Sequence, residues 1–186
     1  MSDISRRQFV AAAGVTAASI WLTAEARDVI AAGVHASKAK HFEVLSDADA
    51  ADIEAAAAQI LPSDGGTPGA HEARVVYFMD KALTTFAKDQ RPMFEKGAKE
   101  LRTRAAKVQR GAKSFAALSS AQQIAVLTEM EKDKNSFFNG LRFGTIAGML
   151  ANPEYGGNYN KAGWTMLGFN DQFSWSAPFG WYDRNV

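Results

Sequence analysis

Apolar residues recur three or four positions apart along the middle of the chain, a spacing that aligns them on one face of an α-helix. Val76, Met79, Leu83 and Phe86 form one such face. No stretch shows the strict alternation of apolar and polar residues that is typical of a half-buried β-strand. The sequence therefore predicts an all-α fold, an irregular helical bundle of about five helices.

Capping residues, prolines and glycines delimit the predicted helices. Ser46 is the predicted N-cap of the first helix, and Pro62 follows its end. Ser119 opens the fourth helix with a capping-box pattern that includes Gln122. In chain order, the predicted bundle (46–150) holds helices over 46–61, about 70–88, about 92–111, from 119 through Met130, and 133–150.

Composition narrows the class of protein. Hydrophobic residues make up 47% and charged residues 22% of the chain, which is ordinary for a globular domain and excludes a wholly disordered one. The formal net charge of +1 gives no reason to expect nucleic acid as a partner. The chain has no cysteine, so it cannot itself hold a disulfide, a thiolate metal site, an iron–sulfur cluster or a covalently attached haem.

An export motif lies near the N-terminus. Ser5, Arg6, Arg7 and Phe9, with a hydrophobic residue at Val10, follow the Ser-Arg-Arg-x-Phe pattern of a twin-arginine signal. The motif predicts a periplasmic protein exported by the twin-arginine pathway. One alternative is an ordinary amphipathic surface helix that happens to begin with two arginines.

The run that follows the motif has the character of a signal rather than of a membrane span. It is uncharged from Gln8 to Ala24, and it is shorter and more polar than the roughly 20 apolar residues that a spanning helix needs. Residues 24–26 supply an Ala-x-Ala-like cleavage site, and a cut nearer Ala36 is the alternative. We predict a signal segment over 1–32 and a linker over 33–45. A signal retained as a helix that docks on a partner or a membrane stays open.

The choice of export route bears on function. The twin-arginine system moves proteins that are already folded. A chain with no cysteine and no convincing cofactor ligands gains little from folding before export. A chain that leaves bound to a folded, cofactor-loaded partner gains a great deal, so the signal favours a complex.

Composition changes after Leu150, where the chain becomes rich in glycine, asparagine and aromatic residues. Three of the four tryptophans, Trp164, Trp175 and Trp181, lie in this segment. It is too aromatic to be disordered and too broken by glycine and proline for a long helix. We predict that residues 151–186, called the C-terminal arm below, form an extended arm that packs on the bundle or on another protein.

The arm also carries a family resemblance. The block from Asn152 to Asn158, followed by Ala162-Gly163-Trp164 and Leu167-Gly168-Phe169, resembles the signature of the gluconate 2-dehydrogenase subunit 3 family. The loop from Ile60 to Ala70 fits the same family, as do the length and the twin-arginine start. The resemblance covers nearly the whole chain. It departs from the family at Ala151, where members often have a different, sometimes polar, residue before the Asn/Asp-Pro step, and this difference does not weaken the resemblance.

The resemblance implies a non-catalytic small subunit of a periplasmic sugar, polyol or sugar-acid dehydrogenase. In such complexes the catalytic partner is a large flavoprotein of the glucose–methanol–choline (GMC) type, which holds FAD. Electrons then pass to a haem or iron–sulfur centre elsewhere, with an electron-transfer cytochrome c as a further partner. The small subunit helps the large one mature and carries it out on its own signal. The substrate stays open, because specificity would lie in the other chain.

The candidate partner-binding residues lie in the arm. Tyr155, Gly156, Gly157 and Asn158 form either a docking turn or a local turn that ends the fifth helix. The tryptophans serve either as interface anchors or as core, since tryptophan is enriched at interface hot spots. For Trp164 we expect burial in the core of this chain itself. The remaining aromatic residues of this set, which we place at the interface, are Trp175, Phe179 and Trp181.

Other clusters of polar residues suggest no site. The histidines, His35, His41 and His71, are scattered, which favours solvated side chains over metal ligands. The acidic residues of 47–54 are better explained by the helix dipole than by a metal. Basic residues dominate 88–113, where a solvated helix face competes with contact to an acidic partner or anionic lipid. A stand-alone periplasmic binding module and a self-sufficient enzyme remain the alternative functions.

Overall fold

The computed structural model describes residues 42–171, and these form six α-helices and no β-strand. The predicted all-α class is therefore confirmed, with five helices in the bundle and a short sixth in the arm. The helices are α1 (Asp47–Ile60), α2 (Val75–Thr84), α3 (Arg91–Val108), α4 (Ser120–Lys132), α5 (Ser136–Leu150) and α6 (Ala162–Leu167). Short 3₁₀ turns cover Lys88–Gln90, Pro153–Tyr155 and Tyr159–Lys161.

Side-chain caps fix the starts of three helices. The Ser46 hydroxyl accepts a hydrogen bond from the Asp49 N–H, and Ser119 and Gln122 form the predicted capping box of α4. The start of α5 differs from the prediction, which placed it at Asp133. The helix begins after Asn135, whose side chain accepts from the Phe138 N–H, and Asp133 instead caps the end of α4. Asparagine is among the best N-cap residues because its short side chain reaches that N–H.

The second helix is shorter than the predicted span of 70–88. Arg74 adopts a left-handed conformation with φ of 55°, which a continuous α-helix does not allow, so α2 starts at Val75. At its other end, the hydroxyl groups of Thr84 and Thr85 donate to the carbonyls four residues earlier, at 2.9 and 2.8 Å. Such side-chain bonds compete with the backbone hydrogen bonds of the helix, and they occur where α2 ends, at Thr84.

One hydrophobic core joins the five bundle helices. Phe94 of α3 meets Phe137 of α5 edge to face, with ring centroids 5.5 Å apart. Gly97 makes this contact possible, because a Cβ at that position would collide with the Phe137 ring. Each buried side chain of this size contributes about 1.5–3 kcal/mol to stability. Fully buried large residues include Ile53, Met79, Leu83, Phe94, Leu101, Phe115, Met130, Leu141 and Met149.

A buried carboxylate links three parts of the bundle. Asp52 of α1 is fully buried, and it accepts from the Ala116 N–H and from the guanidinium of Arg102, each at 3.0 Å. Arg102 also donates to Asp49 at 2.6 Å. Burial lowers the pKa of Arg102, but the bonds to Asp49 and Asp52 outweigh it and leave that pKa raised. The acidic start of α1 therefore binds an arginine of α3, a pairing that the helix-dipole explanation had missed.

Among residues 42–171, none of the helices combines the length and the apolar character that crossing a lipid bilayer requires.

Candidate functional site

The described part of the C-terminal arm, 151–171, packs on the end of α5 rather than extending away from it. It leaves α5 at Ala151, turns at Pro153–Tyr155, and turns again at Gly156, where φ is 96°. That conformation suits glycine, which lacks a Cβ. The backbone here passes close to α2, since a Cβ on Gly156 would lie 3.2 Å from the carbonyl carbon of Tyr77. The arm is thus seated on both α2 and α5.

Asn158 ties the arm to itself and to α5. Its side chain is fully buried, and its backbone adopts a left-handed conformation with φ of 46°. The side-chain amide donates to the Ala151 carbonyl at 2.9 Å, and the side-chain oxygen accepts from the Gly163 N–H at 2.8 Å. Both polar ends of the amide are therefore used inside the fold.

The same arm satisfies the end of α5. The last carbonyls of a helix have no partner within it. The Trp164 indole N–H donates to one of them, the Leu150 carbonyl, at 2.8 Å, while Asn158 takes the next at Ala151. The conspicuous block of asparagine, glycine and tryptophan is thus a cap for α5 made by residues up to fourteen positions later.

Two glycines let the arm backbone lie directly against α5. A Cβ on Gly157 would collide with the carbonyl oxygen of Gly148, and a Cβ on Gly163 would collide with that of Met149. No other residue fits these positions without moving the backbone. The spacing of small residues in the block therefore has a packing reason.

These contacts show where the candidate partner-binding residues lie. Gly157 and Asn158 are buried, whereas Tyr155, Gly156 and Trp164 are half-buried. Trp164 is bonded to its own chain, in line with the packing expected for it, and partner binding by this set stays a prediction. The other candidates, Trp175, Phe179 and Trp181, and the export residues Arg6, Arg7 and Phe9, lie outside the described residues.

Residues 42–45, called the junction segment below, were predicted to end a linker but are bonded to the bundle. The Asp80 carboxylate accepts from the N–H groups of Glu43, Val44 and Leu45 at 2.6, 3.0 and 2.9 Å. Phe42 stacks on Tyr77 with ring centroids 4.9 Å apart. Sequence reasoning missed Asp80, although its position four residues after Val76 on an apolar face was a usable signal.

The polar clusters considered from the sequence do not form a metal site in residues 42–171, where no three potential ligands come together. His71 is exposed, and its Nδ1 lies 2.9 Å from a Glu54 carboxylate oxygen. His35 and His41 lie outside the described residues. The basic residues Lys96, Lys99 and Lys107 are exposed on the outer side of α3.

Comparison with known families places the chain among the subunits of multi-subunit dehydrogenases. The family model of gluconate 2-dehydrogenase subunit 3 matches residues 47–171, from the start of α1 through the described end of the arm. The chain belongs to this family. Searches of the curated proteins and of the solved structures found no match.

Proposed function

We propose that this chain is the non-catalytic small subunit of a periplasmic, FAD-dependent sugar, polyol or sugar-acid dehydrogenase complex. In this proposal it supports the maturation and stability of a large GMC-type flavoprotein and carries that subunit out through the twin-arginine pathway. The observation that carries the proposal is the family match over 47–171, which spans the six helices of the described part of the chain. The catalytic chemistry belongs to the partner, which holds the FAD, and electrons leave through a haem or iron–sulfur centre elsewhere in the complex.

The junction segment is the part of the described chain nearest in sequence to the export motif. The twin-arginine motif at Arg6 and Arg7 belongs to this chain, so a partner exported on it must stay bound to this chain. Three hydrogen bonds to the buried Asp80 carboxylate fasten the chain at residues 43–45 to α2. Hydrogen bonds to charged groups are worth about 1.5–3 kcal/mol each, so this attachment is strong. The folded bundle therefore includes residues 43–45.

The experiment is to replace both arginines, Arg6→Lys with Arg7→Lys, in cells that express this chain together with its proposed flavoprotein partner. Both subunits should then remain in the cytoplasm, as measured by immunoblots of cytoplasmic and periplasmic fractions. Arg110→Lys, at an exposed position in the bundle, is the matched control and should leave export unchanged. Export of the flavoprotein that continues with both arginines replaced would contradict the escort role.

A further inference from the structure

The first turn of α2, residues 75–78, begins without a side-chain cap. Arg74 stands at the N-cap position in a left-handed conformation, and its side chain accepts no bond from the helix. The first N–H groups of a helix have no partner within it. Here those of Val75 and Tyr77 donate to the carbonyls of Ala70 and Arg74, at 3.1 Å each. The turn therefore depends on the backbone just before it and on the segments that pack against it.

The C-terminal arm is one of the segments that pack against this turn. The Tyr159 N–H donates to the Ala73 carbonyl at 3.1 Å. The Tyr159 ring lies under the Arg74 guanidinium, with 3.6 Å between the guanidinium carbon and the ring centroid, which is within cation–π range. A Cβ on Gly156 would lie 3.3 Å from the Tyr77 carbonyl oxygen. The arm thus contacts the start of α2 from Ala73 to Tyr77.

The junction segment is attached to α2 at the same residue and one turn beyond it. The Phe42 ring stacks on the Tyr77 ring with centroids 4.9 Å apart, and both side chains are half-buried. Asp80, three positions after Tyr77, accepts the three N–H groups of residues 43–45. Tyr77 therefore contacts the arm through its backbone and the junction segment through its ring.

We propose that the arm and the junction segment are energetically coupled through the first turn of α2, so that loosening one of them loosens the other. An arm that leaves its place takes with it the Tyr159 contacts to Ala73 and Arg74 and uncovers the backbone of Tyr77. The Tyr77 ring, on which Phe42 rests, then loses its fixed position. Contributions of distant groups add independently only when the groups share no partner, and here Tyr77 is shared.

The coupling makes the attachment of residues 42–45 depend on the folding of a segment more than 100 positions later in the chain. Residues 42–45 follow the predicted signal and linker, and the twin-arginine system moves proteins that are already folded. The chain next to the linker is thus fully attached only after the arm has folded. The coupling itself does not require the proposed function, and it is tested without export or a partner.

The test is amide hydrogen exchange of the full chain, resolved by residue with NMR, in wild type and in Asn158→Ala. Loss of the Asn158 bridge loosens the arm, so the amides of Glu43, Val44 and Leu45 should exchange at least about tenfold faster. The Leu101 amide, in the middle of α3, reports opening of the whole bundle. The rise at residues 43–45 should exceed the rise at Leu101.

Asn135→Ala is the matched control. Asn135 caps the opposite end of α5 through the Phe138 N–H, so its loss also weakens the bundle but leaves the arm in place. Exchange at residues 43–45 should then rise no more than at Leu101. An equal rise at 43–45 in the two variants, or one that only follows Leu101 in Asn158→Ala, would overturn the coupling and leave the proposed function standing.

The reverse direction gives a second measurement, because coupling between two sites is reciprocal. Asp80→Asn, which weakens the attachment of the junction segment, should speed exchange of the Tyr159 and Gly163 amides of the arm. Unchanged exchange at both amides would count against the coupling. Should Asn158→Ala fail to fold, Tyr159→Leu replaces it, since Tyr159 is 39% exposed and the change removes only the ring over Arg74.

Discussion

The side-chain oxygen of Asn158 accepts a hydrogen bond from the Gly163 N–H at 2.8 Å, while the amide of the same side chain donates to the Ala151 carbonyl at 2.9 Å. One buried side chain thereby joins the end of α5 to the start of α6. The placement of α6 on the bundle depends on this bridge, because Gly163 lies in the first turn of α6.

Asn158→Ala should destabilise the protein by about 3 kcal/mol, since it removes two buried hydrogen bonds, leaves their partners unpaired, and places alanine in a left-handed conformation. The free energy of unfolding in urea measures this. Asn160→Ala is the control, because Asn160 has a similar φ of 54° but is exposed and makes neither bond. It should cost only about 1 kcal/mol. Equal losses for the two variants would show that the bridge adds nothing.

Gly163→Ala should destabilise the protein by about 3 kcal/mol, because the new methyl group meets the carbonyl oxygen of Met149, and backbone cannot move aside cheaply. Gly140→Ala in α5 is the comparison. There the only close contact of the added Cβ is with the flexible end of the Met93 side chain, since Phe94 and Gln90 lie at ordinary contact distance, and alanine favours the helix by about 0.5–1 kcal/mol. In thermal melts the melting temperature should therefore fall for Gly163→Ala and rise for Gly140→Ala, or at least be several degrees lower for Gly163→Ala than for Gly140→Ala. A tolerated Gly163→Ala would contradict the close packing of the arm on α5.

Asp80→Asn should cost about 2 kcal/mol, because an amide cannot accept all three N–H groups of the junction segment and presents a donor to one of them. The same change should make residues 42–45 more susceptible to limited proteolysis, as followed by mass spectrometry of the fragments. Asp89→Asn, at an exposed position in the 3₁₀ turn, should alter neither measurement. Unchanged cleavage in Asp80→Asn would mean that the attachment is held by other contacts.

Glu72, which is bonded to the loop after α1, should make the stability of the protein depend on pH. Hydrogen bonds from the Ser63 hydroxyl at 2.6 Å and the Gly69 N–H at 2.8 Å hold the pKa of Glu72 below its usual value of 4.5. A carboxyl whose pKa falls on folding contributes stability above its unfolded pKa and loses it as the pH drops through the folded pKa. The stability difference between wild type and Glu72→Gln should thus be full near neutral pH and shrink below about pH 4.5. Glu154→Gln, at an exposed site, controls for general acid effects. A difference independent of pH would reject this role of Glu72.

Local signals explain why much of the fold was predictable. The caps at Ser46 and Ser119 depend on residues within one turn, so the sequence alone predicts them. The left-handed Arg74 was not predictable, because no turn residue such as glycine or asparagine stands at that position to signal it. The 70–88 helix was for this reason predicted too long.

The candidate site was only partly predictable for the same physical reason. The asparagine–glycine block stood out by composition, but its inward direction follows from which α5 carbonyls lie nearby, which the sequence does not reveal. Asp52 and Asp80 bind groups 64 and 35–37 residues away, so only the fold identifies their partners. The match of the family model confirmed the resemblance on which the functional proposal depends.

The most direct test of the central claim is the yield of exported, flavin-loaded large subunit with and without this chain. The account predicts that periplasmic FAD, dye-linked dehydrogenase activity and the large subunit all fall together when this chain is omitted, and that the isolated chain shows no such activity. Flavin absorbance and immunoblots of periplasmic fractions measure this. A large subunit that is equally abundant, flavin-loaded and exported without this chain would contradict the account.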